Sequence, residues 1–117
     1  MAGRGKKIEF VSVKHNGVIQ IIAIADITYI VCDGGICDIF LYNGEKYIKL
    51  KLLKEFEEEL HGYGFIRIHH NTLLNHKYIR SINNKTHKIT LTTNAELKVS
   101  IRKWKAVKQQ LQNDTYL

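Results

Sequence analysis

The chain has no proline, one methionine, one tryptophan and two cysteines among its 117 residues. Without proline, its turns fall to asparagine and glycine, which tolerate positive φ. Cys32 and Cys37 are too few for a disulfide framework, and their spacing is too wide for a zinc knuckle. They read as two reduced thiols of a cytoplasmic protein, with a redox pair across the turn that they flank as the minor alternative. No window approaches the ~18 apolar residues of a membrane span. The opening MAGRGKKIEF is basic but has no apolar signal-peptide core. A Gly-rich phosphate loop, a nucleophile elbow and HExxH spacing are all missing, and the carboxylates of residues 55–59 fall on a solvated helix face. Adjacent His69 and His70 on a strand point to opposite faces, which argues against one shared metal. The expectation is a non-enzyme with no metal, no cofactor and no membrane partner.

Acid is scarcest in the second half. Residues 1–61 hold 8 Lys/Arg against 9 Asp/Glu, whereas residues 62–110 hold 10 Lys/Arg against Glu96 alone. The net charge of +7 is therefore concentrated in one half. A near-neutral half joined to a strongly basic one is the electrostatic footprint of a nucleic-acid binder. A solvated basic face with no partner is the plainer alternative.

What is present in quantity is β pattern. Ile8–Val13 and Val18–Ala23 alternate on either side of Asn16-Gly17, the strongest short hairpin signal. Strands are predicted over Asp26–Val31, Cys37–Tyr42 and Glu45–Leu50, with turns at Asp33-Gly34-Gly35 and Asn43-Gly44. Lys51–His61 carries Leu52, Leu53, Phe56 and Leu60 at helical spacing and ends at Gly62 and Gly64. Phe65–His69 alternates again, with Ile66 and Ile68 opposite Phe65, Arg67 and His69. A polar corner, His69-His70-Asn71-Thr72, follows. Leu73-Leu74-Asn75 suits one tight helical turn anchored by buried leucines. Further strands are expected from Tyr78 to Ile82, Lys88 to Thr92 and Glu96 to Val99, the last two joined at Asn94-Ala95. Ser100 is an N-cap for a final helix over Ile101–Gln112. The sum is a mainly β domain over residues 8–112 with a mid-chain helix and a C-terminal helix. A basic arm or linker precedes it at residues 1–7, and a frayed tail follows at residues 113–117.

Within the basic half, Arg102 is the best single base reader, because a guanidinium meets guanine O6 and N7 with two parallel bonds. It stands two residues past the cap, where the helix dipole also favours phosphate. His70 and Asn71 are the next candidates for base contacts, since an Asn amide pairs with adenine and His donates to guanine or phosphate. Lys103, Lys105, Lys77 and Lys85 are candidate phosphate contacts, each interchangeable with an ordinary solvated lysine.

His69, Leu73, Leu74, Asn75, Tyr78 and Ile79, then an Ile-Thr-Leu strand, then Val99-Ser100 and Arg102, resemble in order and spacing the LytTR DNA-binding domain. Asp26, Ile27, Tyr29 and Ile30 match an earlier segment of the same pattern. The likeness runs from about residue 8 to about residue 111. His70 stands where the family commonly has Arg, Asn71 where it often has Ser, and Ile101 where a second basic residue is common. The resemblance implies an elongated antiparallel β-fold of stacked small sheets. It implies a bacterial transcription regulator that docks loops in the major groove of double-stranded DNA, at paired direct repeats bound by a second copy. DNA contacts fall at the positions of His70 and Arg102, and a third contact loop falls at Gly34, Gly35 and Ile36. His69, Asn75 and Ser100 take supporting roles. Such domains usually follow a receiver domain of a two-component response regulator, or a membrane segment. Neither is within these residues, so a stand-alone regulator and a piece of a longer chain both stay open. The competing class is a basic β-domain that binds an acidic protein or RNA, with Tyr29, Tyr42, Tyr47, Tyr63 and Tyr78 as contact aromatics.

Overall fold

The computed structural model describes residues 9–115. The expected arm at residues 1–7 and the last two residues of the expected tail lie outside them. Among the described residues, ten strands form three antiparallel sheets, with an α-helix between the fifth and sixth strands and another after the tenth.

Strands β1 (Phe10–His15) and β2 (Val18–Ala23) pair as a two-stranded ribbon. Asn16 (φ 51°) and Gly17 (φ 77°) join them, both left-handed as a type I′ turn requires. A 3-10 turn, Ile24–Asp26, leads into β3 (Ile27–Asp33), β4 (Ile36–Leu41) and β5 (Lys46–Leu50). Helix α1 spans Leu53–Glu59, shorter than the predicted Lys51–His61. Its start is fixed by Glu55, whose carboxylate accepts the Leu52 N–H at 2.9 Å, one half of a capping box.

Strand β6 is Phe65–His69, as the alternation predicts, with Ile66 and Ile68 buried. The predicted helical turn at Leu73 is instead a strand, β7 (Thr72–Asn75), whose four residues are all buried. The reversal at His70-Asn71 sends the chain back along β6, and β3 pairs with the other edge of β7. Backbone groups that a turn would leave exposed are thereby satisfied on both sides. The five-stranded sheet runs β5-β4-β3-β7-β6. A 3-10 turn at His76–Tyr78 leads to β8 (Ile79–Asn83), β9 (Lys88–Leu91) and β10 (Glu96–Lys98), which form the third sheet. Helix α2 runs Ile101–Thr115, three residues past the predicted Gln112 and into the expected tail.

Two cores flank the five-stranded sheet. One joins Val11, Val13 and Ile22 of the ribbon to Ile30 and Ile39 of the sheet and to Leu53 and Phe56 of α1. The other joins Ile66 and Ile68 to Ile89 and Leu91 of the third sheet and to Trp104 and Val107 of α2. Successive leucines of β7 divide between them, Leu73 in the first and Leu74 in the second. That split follows from side chains alternating across a strand.

The expectation of two reduced thiols fails. Cys32 and Cys37 are bonded to each other, and no free cysteine occurs among the described residues. The two-residue turn Gly34-Gly35 sets them directly opposite in the β3–β4 register. The Cys32 N–H points away from β4, to the Asn71 carbonyl at 2.9 Å. That leaves a non-hydrogen-bonded cross-strand pair, the kind whose Cα atoms lie closest; here they are 4.0 Å apart.

Candidate nucleic-acid interface

The polar corner is built by β6 and β7. The ladder shifts register between Arg67 and His69, and His69 faces Thr72 across a two-residue turn of His70 and Asn71. This irregularity overturns the expectation that the two histidine rings point to opposite faces. Their centroids are 4.4 Å apart with planes tilted 41°. His70 is exposed, whereas His69 is half-buried and its Nδ1 is buried without a hydrogen-bond partner. No cluster of three or more His, Cys, Asp or Glu able to hold a metal ion occurs among the described residues.

The carbonyls of His69, His70 and Asn71 are all engaged. Asn71 accepts from Cys32 N–H, and its side-chain Oδ1 accepts from the Thr72 hydroxyl at 2.8 Å. Arg67 donates from Nε to the His69 carbonyl at 2.9 Å and from Nη2 to the His70 carbonyl at 2.5 Å. Its Nη1 meets Glu57 of α1 at 2.9 Å. Sequence reasoning missed this role. The alternation put Arg67 on the right face, but no signal ties it to a glutamate ten residues earlier.

The start of α2 lies against the same corner. The Ser100 N–H donates to the Ile68 carbonyl at 3.0 Å, stitching the helix entry to β6. Ser100 Oγ accepts the Lys103 N–H at 3.3 Å, which is the N-cap geometry. Trp104, buried one turn in, stacks on His87 with centroids 4.5 Å apart and anchors the helix. Arg67, His70, Ser100, Arg102 and Lys103 line one open cleft. Arg102 and Lys105 are exposed and Lys103 is half-buried.

The remaining candidates divide by position. The Gly34-Gly35 turn leaves the same end of the five-stranded sheet as the His70-Asn71 turn, because β3 and β7 are antiparallel neighbours. Ile36 beside it is 53% exposed. Lys85 sits in the turn before His87, whose carbonyl accepts the Val99 N–H, so that turn borders the α2 entry. Lys77 stands apart. It follows the far end of β7, with its ammonium 5.8 Å from the Tyr78 ring centroid. Asn75 is buried at that far end, where its amide donates to the Ile27 carbonyl at 2.9 Å and its Oδ1 accepts the Lys77 N–H at 3.0 Å.

Three small antiparallel sheets and two helices, with basic side chains gathered at a sheet end and a helix start, define a β-type binding domain. The same fold occurs in a solved structure from Bacillus cereus, described as the LytTr DNA-binding domain of a methyl-accepting/DNA response regulator. The two share 20% identity with a TM-score of 0.76, over 92% of this chain and 98% of that one. No curated protein matches the chain. Residues 17–112 match the family of the LytTr DNA-binding domain, and the chain belongs to that family.

Proposed function

We propose that the chain reads double-stranded DNA sequence-specifically for a bacterial transcription regulator, with turns and a helix start entering the major groove. The observation that carries this is the convergence of His70, Arg102 and Lys103 around one open cleft. His70 is far in sequence from the adjacent Arg102 and Lys103; it comes from a β-turn and they come from a helix N-terminus. Arg102 and the corner's side chains supply base-edge contacts, while Lys103, Lys105 and Lys85 meet phosphate. The Gly34-Gly35 turn adds a contact through backbone N–H groups or Ile36. Lys77, on the far side, is the weakest of the proposed phosphate contacts. Paired direct repeats, each holding one copy, are the proposed operator form. A receiver domain is the proposed upstream partner.

Selection of duplexes from a random pool, followed by fluorescence anisotropy at fixed salt, tests this reading. A motif should emerge, and Arg102→Ala should lose about 1–3 kcal/mol at one base pair of it. Equal binding to all duplexes, with Arg102→Ala only slightly weaker, would turn the reading toward an RNA or acidic-protein partner.

A further inference from the structure

We infer that Arg67 is a positioning residue for DNA recognition, and that Glu57 of α1 is the anchor through which it acts. This rests on the DNA-reading proposal above. Arg67 lines the same cleft as Arg102 and carries the same charge, so it could pass for another phosphate contact. Its bonding argues otherwise. One guanidinium spans the consecutive carbonyls of His69 and His70 and meets the Glu57 carboxylate. Guanidinium presents its donors in a rigid planar fork, so three acceptors at fixed angles hold it, and it in turn holds the peptide groups that carry both histidines. The Glu57 carboxylate also offsets the Arg67 charge locally, which leaves Arg102 and Lys103 as the cations this cleft offers an anion.

The consequence is a division of labour between two arginines. Arg102 touches the base. Arg67 fixes where His70 and Asn71 stand, and a recognition group must be held to within about 0.5 Å to discriminate. Glu57 lies on the one strongly acidic helix, a helix that would repel DNA if it faced it. Its Glu57 carboxylate is instead paired with Arg67.

The test compares Arg67→Gln, Arg67→Lys and Glu57→Gln with the unmodified chain. The measurements are affinity for the selected duplex and for a scrambled one, each across a salt series, with thermal melting to verify folding. A positioning role predicts that Arg67→Gln loses roughly ten- to a hundredfold in the ratio of specific to scrambled binding. Its salt dependence should stay as steep as that of the unmodified chain. Arg67→Lys should lose discrimination too, although it keeps the charge, because an ammonium cannot span the three acceptors. Glu57→Gln, at a half-buried helix position, removes the ion pair with Arg67 and should weaken discrimination by several-fold, with its melting curve verifying the fold.

A phosphate contact predicts the reverse. Arg67→Gln would weaken all duplexes alike and lower the salt slope by about one. Arg67→Lys would be near neutral. Glu57→Gln would tighten binding by freeing the arginine. Any of these overturns the positioning role while leaving DNA reading intact. If the unmodified chain selects no motif, both fall together.

Discussion

The two cores on either side of the five-stranded sheet are built from the same materials and do different things. Both are mostly Ile, Leu and Val from strands, closed by one amphipathic helix that contributes one buried aromatic. Phe56 closes the first and Trp104 the second. They differ in what they present outward. The first is covered by α1, with Glu55, Glu57, Glu58 and Glu59, and by an apolar ribbon face where Ile19 and Ile21 are more than 60% exposed. The second ends at the corner and at the basic start of α2. Burial chemistry therefore says little about which half binds. Location of charge says a good deal, because charge is tolerated only at the surface and each half could choose its own.

The comparison breaks hardest if each aromatic is removed. Phe56→Ala and Trp104→Ala should each cost about 3–5 kcal/mol in chemical denaturation, since both leave a large cavity under a helix. Their effects on DNA should differ. Folded Phe56→Ala should weaken discrimination only several-fold, because Phe56 holds the helix that carries Glu57, whereas Trp104→Ala should weaken binding more, because Trp104 holds the helix that carries Arg102. Equal effects on binding would mean that the halves are not separable. Next in size is Asn75→Ala, expected to cost about 1–3 kcal/mol by leaving the Ile27 carbonyl buried without its donor. Its melting curve should shift as one transition, since β7 serves both cores.

The smallest effect is alkaline. Burial, and then the charge of Asp38, pushes the Tyr29 hydroxyl up. Burial, followed by Asp26 and Tyr42, does the same to Tyr78. An unfolded tyrosine ionises near ~10, before the folded ones do. Their contribution to stability is thus complete below about pH 10 and is lost as pH rises through the higher folded values. Tyr78 also donates to the Ala25 carbonyl at 2.5 Å. Tyr78→Phe should cost about 0.5–1.5 kcal/mol at neutral pH. It should also flatten the fall in melting temperature between about pH 9 and 11; an unchanged fall would put the effect elsewhere.

Much of this was legible in the residues. Alternation located β6 to the residue, Asn16-Gly17 marked its hairpin, and Ser100 marked the start of α2. β7 was not legible, because Thr72-Leu73-Leu74-Asn75 shows no alternation when both faces of a strand are buried. The cysteine pair was misread because a turn between the two residues allows an approach without requiring it, and only the strand register sets them directly opposite. His69 and His70 were misread because a strand end with a shifted ladder does not keep the period of two. Of the candidate contacts, the residues around Arg102 converge in space. Lys77 does not, and a lysine's sequence neighbours carry no sign of that difference.

One consequence of β7 concerns how the chain measures itself. With leucine on both faces, sliding this strand by a single residue would still bury two leucines, so hydrophobicity alone cannot tell the right alignment from the wrong one. The buried Asn75 amide can, because only one alignment brings it to the Ile27 carbonyl. A slip of one residue moves the turn ahead of β7 by about 3.3 Å, further than a hydrogen bond is long. Asn75 thus acts as a gauge at one end of the strand, setting how far His70 and Asn71 reach at the other.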